Sequence, residues 1–251
     1  MNMNFLGNNP GAGDQGNGGD AGQRGAGAGG DVLGWYNEIP LISRLYLTFA
    51  FSCTTACYMD LVSPLTLYYN YDLILQKGQY WRLLSSFLFF GQFSLDFVFH
   101  MYFVVRYCRL LEDGKFRGRT ADFFFMLLLG AALMLVLAVS INMFSTLKFL
   151  GQSLSFMMVY VWARSPENAN VRMGLFGVLP FDAPFLPFVL MLFSLFLGSP
   201  IEADLLGIIV GHIYYFFDDI YPQVAQVRRW RIKKILHTPR ILKFIFGNRD
   251  E

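Results

Sequence analysis

The chain has 251 residues, of which 55% are hydrophobic, 18% aromatic and 15% charged, with a formal net charge of +2 and a mean hydropathy of +0.41. Soluble globular chains carry about 25% charged residues, so this one lacks the polar surface to cover itself in water and is expected to lie in a membrane. Three cysteines give neither a disulfide framework nor a zinc pattern; Cys53 and Cys57, one helical turn apart in an apolar run, read as small buried hydrophobes.

Residues 1–34 hold 12 of the 24 glycines among Asn, Asp and Gln and have almost nothing to bury. They are predicted to be a disordered head. No basic stretch leads into an apolar core there, so the first apolar helix is expected to act as the targeting signal and the N-terminus to stay cytosolic.

From Leu41 on, charges bound the apolar runs. The first run lies between Arg44 and Asp60, and residues 61–95, full of Tyr, Phe, Ser and Gly, contain no clean span. The second extends from Asp96 to Leu111 and carries Asp96, His100 and Arg106. The third, between Asp122 and Asn142, is the only one with the length of an ordinary transmembrane helix. The fourth lies between Lys148 and Arg164, the fifth between Asp182 and Glu202, and the sixth between Asp204 and Asp218.

Six spans predict an all-α polytopic membrane protein with a membrane domain at 35–222 and a basic tail at 223–251. The fourth and sixth runs rise only about 20 Å at 1.5 Å per residue, against about 30 Å of hydrocarbon. Such helices are either buried inside the bundle, with their terminal charges snorkelling, or they thin the bilayer around them. With both termini cytosolic, 17 of the 20 Lys and Arg fall on the cytosolic side, and only Lys77, Arg82 and Lys148 on the other. That partition obeys the positive-inside rule. The tail interleaves Arg228, Arg229, Arg231, Lys233, Lys234, Arg240 and Lys243 with Trp230, Ile235, Ile241 and Phe244. It is predicted to form a surface helix on anionic headgroups. Nothing supplies a nucleic-acid reading element.

Chemistry within the spans is sparse. Asp96 and His100, four apart, share a helix face and are followed by Arg106; they are the groups an ion pathway would use, or else Asp96 and His100 sit at the lumenal end of the span and Arg106 at its cytosolic boundary. Ser153 on the fourth helix and His212 on the sixth would suffice for acyl transfer if they met. Gly207 and Gly211 form a small-xxx-small ridge suited to close helix packing. No cofactor or metal set is apparent.

Several segments together resemble the Derlin family, the catalytically inactive relatives of rhomboid intramembrane proteases found in the endoplasmic reticulum. They are Trp35-Tyr36-Asn37-Glu38-Ile39-Pro40, Trp81-Arg82, Leu111-Glu112-Asp113-Gly114-Lys115-Phe116, Arg119-Thr120-Ala121-Asp122, Val159-Tyr160-Val161-Trp162, Ala183-Pro184-Phe185-Leu186-Pro187 and the run from Asp204 to Tyr214. The resemblance implies a rhomboid-like six-helix bundle without proteolysis. The serine slot of the rhomboid motif falls on Gly151 and the histidine slot on Ile208, leaving Ser153 and His212 out of place. It further implies a component of endoplasmic-reticulum-associated degradation that assists retrotranslocation of misfolded proteins, by local bilayer thinning and a lateral half-channel. The partners implied are a membrane ubiquitin ligase and its adaptors, the AAA ATPase valosin-containing protein, misfolded clients and other Derlins. Direct contact with the ATPase is not expected, because the tail ends Phe246-Gly247-Asn248-Arg249-Asp250-Glu251 without its binding motif. Trp81 and Arg82 would sit in the first lumenal loop, the indole at the interface and the guanidinium on headgroups or a backbone carbonyl.

Overall fold

A computed structural model of the chain describes residues 34–175, 179–230 and 235–247. Two units separate after Asn37. Of the first, residues 34–37 form one helical turn, and the rest of the predicted disordered head lies outside the described residues.

In the larger unit, helix α1 (Leu41–Tyr58) starts after Pro40, so Arg44 falls inside its first turn rather than bounding it. The polar stretch that follows contains three short helices, α2 (Pro64–Leu67), α3 (Tyr71–Lys77) and α4 (Trp81–Leu88). Local capping cuts them short. Ser63 Oγ accepts from Leu65 N, Asn70 Oδ1 accepts from Leu73 N, and Gly78 ends α3 in the left-handed region at φ 64°. Helix α5 (Leu95–Asp113) is capped by Ser94, whose Oγ accepts from Phe97 N at 3.1 Å. Helix α6 (Thr120–Ser140) spans 21 residues and is the one helix, among those described, long and apolar enough by itself to cross a membrane.

Helix α7 (Gly151–Arg164) has only 14 residues, about 21 Å of rise, and 12 of them are buried. It is the axis of the bundle, packed by α4, α5 and α6 and by the later helices α8 (Leu186–Phe196) and α9 (Ile201–Tyr215). Helix α8, with 11 residues, has the opposite character: Phe188, Leu192, Leu195 and Phe196 are exposed, Phe196 by 81%. Helix α7 is sheathed by protein, whereas α8 is short and presents an apolar outer face.

Three expectations are corrected. The chain is not purely helical: between α7 and α8, β1 (Arg172–Leu175) pairs antiparallel with β2 (Leu179–Asp182), Arg172 opposite Asp182 and Leu175 opposite Leu179. Second, α9 begins three residues before the predicted boundary, because Glu202 and Asp204 stand in its first turn, where the helix dipole favours anions. It then passes into a π turn at Phe216–Ile220 and α10 (Tyr221–Val227), so the chain stays helical past Pro222. Third, the tail is not one surface helix. Arg229 takes φ 53°, residues 235–239 carry no helix, and α11 (Arg240–Ile245) follows Pro239, which lacks an N–H. Of that last helix, Ile241, Phe244 and Ile245 are exposed and Arg240 and Lys243 interleave with them.

Candidate functional site

The α7/α9 seam is the most extensive helix contact in the fold, and glycine makes it close. A Cβ at Gly207 would fall on the carbonyl oxygen of Ser153 and lie 2.6 Å from Phe156 Cβ; one at Gly211 would lie 2.9 Å from Tyr160 Cβ. Both glycines thus face α7 backbone or the root of an α7 side chain. Across the seam Ser153 Oγ donates to the Ala203 carbonyl at 2.7 Å, and Tyr160 Oη and His212 Nδ1 share a 2.7 Å hydrogen bond. Tyr160 stands seven residues beyond Ser153, about 10 Å along the axis. The serine and the histidine are therefore each engaged with a different partner at a different level.

The rhomboid-like slots are likewise filled. A side chain on Gly151 would lie 2.8 Å from the Phe87 carbonyl and 3.0 Å from the Phe90 ring. Even the hydroxymethyl of serine has no room there. Ile208, in the histidine slot, is buried and apolar.

Around the heads of α5, α7 and α9 the structure gathers a polar cluster. Asp96 Oδ1 accepts from Ser199 Oγ at 2.8 Å and lies 3.2 Å from His100 Nε2, off the line that a hydrogen bond needs. Gln152 Nε2 donates to Asp204 Oδ1 at 2.6 Å and reaches Ser194 Oγ at 3.3 Å. A cavity of about 340 Å³ opens beside it, walled by Phe89, His100, Lys148, Gln152 and Glu202. Arg106 is not part of this cluster. Its Nη1 donates to Tyr102 Oη at 3.1 Å, and it lines a second crevice of about 500 Å³ between α5, α8 and the hairpin. The Phe99 and Phe193 rings, stacked 4.4 Å apart, bridge the two helices beside that crevice. Its walls are apolar: Val98, Phe103, Phe181, Leu186 and Leu190. Asp96 and His100 thus stand in one cluster and Arg106 lines a different crevice, so the three do not form a single ion pathway.

Trp81 and Arg82 open α4 and point to different surroundings. Arg82 is 5% exposed. Its Nη1 donates to the carbonyls of Leu65 and Tyr68, both at 3.0 Å, its Nε donates to Gln79 Oε1 at 2.6 Å, and its guanidinium lies over the Tyr68 ring at 4.8 Å. Ser85 Oγ adds a bond to the Leu67 carbonyl. One fork thus closes the α2–α4 segment on itself, while Trp81 is 58% exposed. Arg82→Lys is expected to destabilise the purified chain by about 1–3 kcal/mol, since a point charge cannot hold both carbonyls and the stack. Trp81→Ala should stay within about 0.5 kcal/mol. Thermal unfolding in detergent reads the contrast, and equal losses would refute it.

Two further residues were not singled out from sequence. Glu112, 6% exposed at the end of α5, accepts from Ile42 N at 3.0 Å, Ser43 N at 2.8 Å and Ser43 Oγ at 2.7 Å. It caps α1, whose own cap position is a proline. That missing local cap is the signal that could have pointed to a distant carboxylate. Lys115 bridges Asp218 at 3.1 Å and Asp219 at 2.5 Å. The π turn is what lets two consecutive carboxylates reach one ammonium. Burial pushes the Asp219 carboxyl above its usual range, and Lys115 opposes that rise. Among the described residues no three His, Cys, Asp or Glu side chains converge as metal ligands.

Comparison with known proteins places this arrangement. The family model described as Der1-like family matches residues 39–240. The chain is 43% identical over 221 residues to Derlin-2.1 of Zea mays, covering 85% of this chain and 86% of that protein. It is 42% identical to Derlin-2.2 of Arabidopsis thaliana over 221 residues, with 85% and 87% covered, and 36% identical to the probable derlin-2 homolog of Dictyostelium discoideum over 220 residues, with 86% and 84% covered. Those matches take in the clamp at Glu112, the α7/α9 seam and both crevices, and the chain belongs to the Der1-like family.

Proposed function

We propose that the chain is a non-enzymatic, six-span protein of the endoplasmic reticulum membrane, with both termini cytosolic, that assists retrotranslocation of misfolded proteins. The observation that carries this reading is the crevice of about 500 Å³ between α5 and α8, apolar along its walls and with Arg106 in its lining. Such a groove suits a polypeptide segment passing sideways between protein and lipid. Short α8, about 16 Å of rise with an apolar outer face, would draw the bilayer thin beside it. The side chains a protease would need are otherwise engaged, Ser153 on the Ala203 carbonyl and His212 on Tyr160. In this role the partners are a membrane ubiquitin ligase with its adaptors, valosin-containing protein, and further copies of the family.

Site-specific photocrosslinking tests the groove. Val98 lines it and Val136 lies on the outer face of α6, and the two are almost equally exposed, at 60% and 59%. A photoreactive amino acid at Val98 is expected to capture a misfolded lumenal reporter several-fold more than one at Val136. Equal capture would remove the groove from the mechanism.

A further inference from the structure

The segment between α10 and α11 is pinned to the bundle by a side chain that can be modified. Residues 235–239 run without helix or strand, and Thr238 Oγ1 donates to Asp122 Oδ1 at 2.5 Å in the first turn of α6. Leu236 and Thr238 line a small cavity with Phe116, Tyr214 and Asp218. The Phe246 ring sits 5.3 Å from that of Phe124 and secures the far end of α11.

The charges around Thr238 suit a hydroxyl. Asp122, Asp218 and Asp219 are opposed by Lys115, already shared by two of them, and by Arg119, 3.7 Å from Asp122 and half exposed. The local balance is one negative charge in excess. Once esterified, Oγ1 has no proton to give Asp122, and the phosphate adds about −1.5 to −2 charge.

We propose that Thr238 is a phosphorylation site for a proline-directed kinase, and that a phosphate there lifts residues 235–247 off α6. Pro239 follows directly and Arg240 comes next, and a residue before proline is held extended, as a kinase substrate must be. The flanking Ile235, His237, Pro239 and Arg240 are exposed. In the transfer, Thr238 Oγ1 attacks the γ-phosphorus of ATP and a new O–P bond forms as the bond to the departing ADP oxygen breaks. The hydroxyl proton passes to the kinase's catalytic carboxylate. The hydrogen bond to Asp122 loses its donor and becomes a repulsion between anions. Arg119, solvated, offers too little to reverse it.

The cytosolic tail proposed above is needed only for where the kinase acts, so the test uses the purified full-length chain in nanodiscs with a proline-directed kinase and magnesium ATP. Phosphopeptide mass spectrometry should find Thr238 modified. Hydrogen exchange over residues 235–247 should then quicken about tenfold while α7 stays unchanged. Thr238→Ala should abolish the phosphate, and Thr238→Glu should reproduce the faster exchange without kinase. Absence of phosphate on Thr238, under conditions where a peptide of residues 231–245 is phosphorylated, would overturn the proposal. So would a phosphate that leaves exchange unchanged. Neither result bears on client capture at Val98, which is measured separately.

Discussion

Gly207→Ala is expected to destabilise the chain by about 2 kcal/mol, and more than Gly211→Ala. Two terms compete at both positions. Alanine in a helix interior contributes about 1 kcal/mol relative to glycine. Against that stands overpacking, typically 1–3 kcal/mol. At Gly207 the new methyl strikes the Ser153 carbonyl and the Met157 backbone nitrogen, 3.1 Å away, atoms of a helix buried on every side that cannot move. Helix α9 must retreat, and the Ser153 bond to Ala203 and the Gln152 bond to Asp204 stretch with it. At Gly211 the new methyl lies 2.9 Å from Tyr160 Cβ, which moves only with the α7 backbone, and 3.1 Å from the ring, which can tilt. No backbone atom is struck directly, so the overpacking term is smaller than at Gly207 and Gly211→Ala should cost about 1 kcal/mol. Detergent unfolding midpoints of the two variants decide it. A larger loss at Gly211, or none at either, would show that the seam does not depend on close approach at Gly207.

What could be read from the sequence divides by the distance over which the cause acts. The apolar run between Asp122 and Asn142 gave α6 to within a few residues, because a charge ends a hydrophobic helix locally. The Gly207/Gly211 ridge was legible for the same reason, its four-residue period lying within one helix. The hairpin Arg172–Leu175 with Leu179–Asp182 was not, since glycines and a proline mask four residue pairs that hold together only as a pair. Farther apart still, Lys115 and its carboxylates are about a hundred positions distant and need the π turn to meet. Arg106 and His100 stand six residues apart on one helix, and the sequence does not show that α8 and the hairpin lie on the side of α5 that Arg106 faces.

Glu112→Ala is expected to cost about 3–5 kcal/mol, near the loss seen when one partner of a buried charged network is removed. Helix α1 follows Pro40 at its cap position and has no side-chain cap of its own, so the N–H groups of Ile42 and Ser43 depend on a carboxylate some 70 residues away. Deleting it strands two amides and a hydroxyl in a buried site and removes a negative charge from the positive end of the helix. Glu112→Gln keeps one accepting oxygen but turns an amide toward donors, which should cost about 1–3 kcal/mol. Ser43→Ala removes one of three bonds, about 1 kcal/mol. The order Glu112→Ala, then Glu112→Gln, then Ser43→Ala, from largest loss to smallest, identifies the carboxylate as the cap. The double variant Glu112→Ala/Ser43→Ala should lose less than the two singles together, because the second change removes an oxygen already without its partner. Strict additivity would mean that Glu112 stabilises α1 by some route other than Ser43. The clamp also fixes α1 against α5, one wall of the crevice assigned to clients. Loss of client crosslinking at Val98 in Glu112→Gln, measured where that variant is still folded, would tie the cap to the function as well as to the fold.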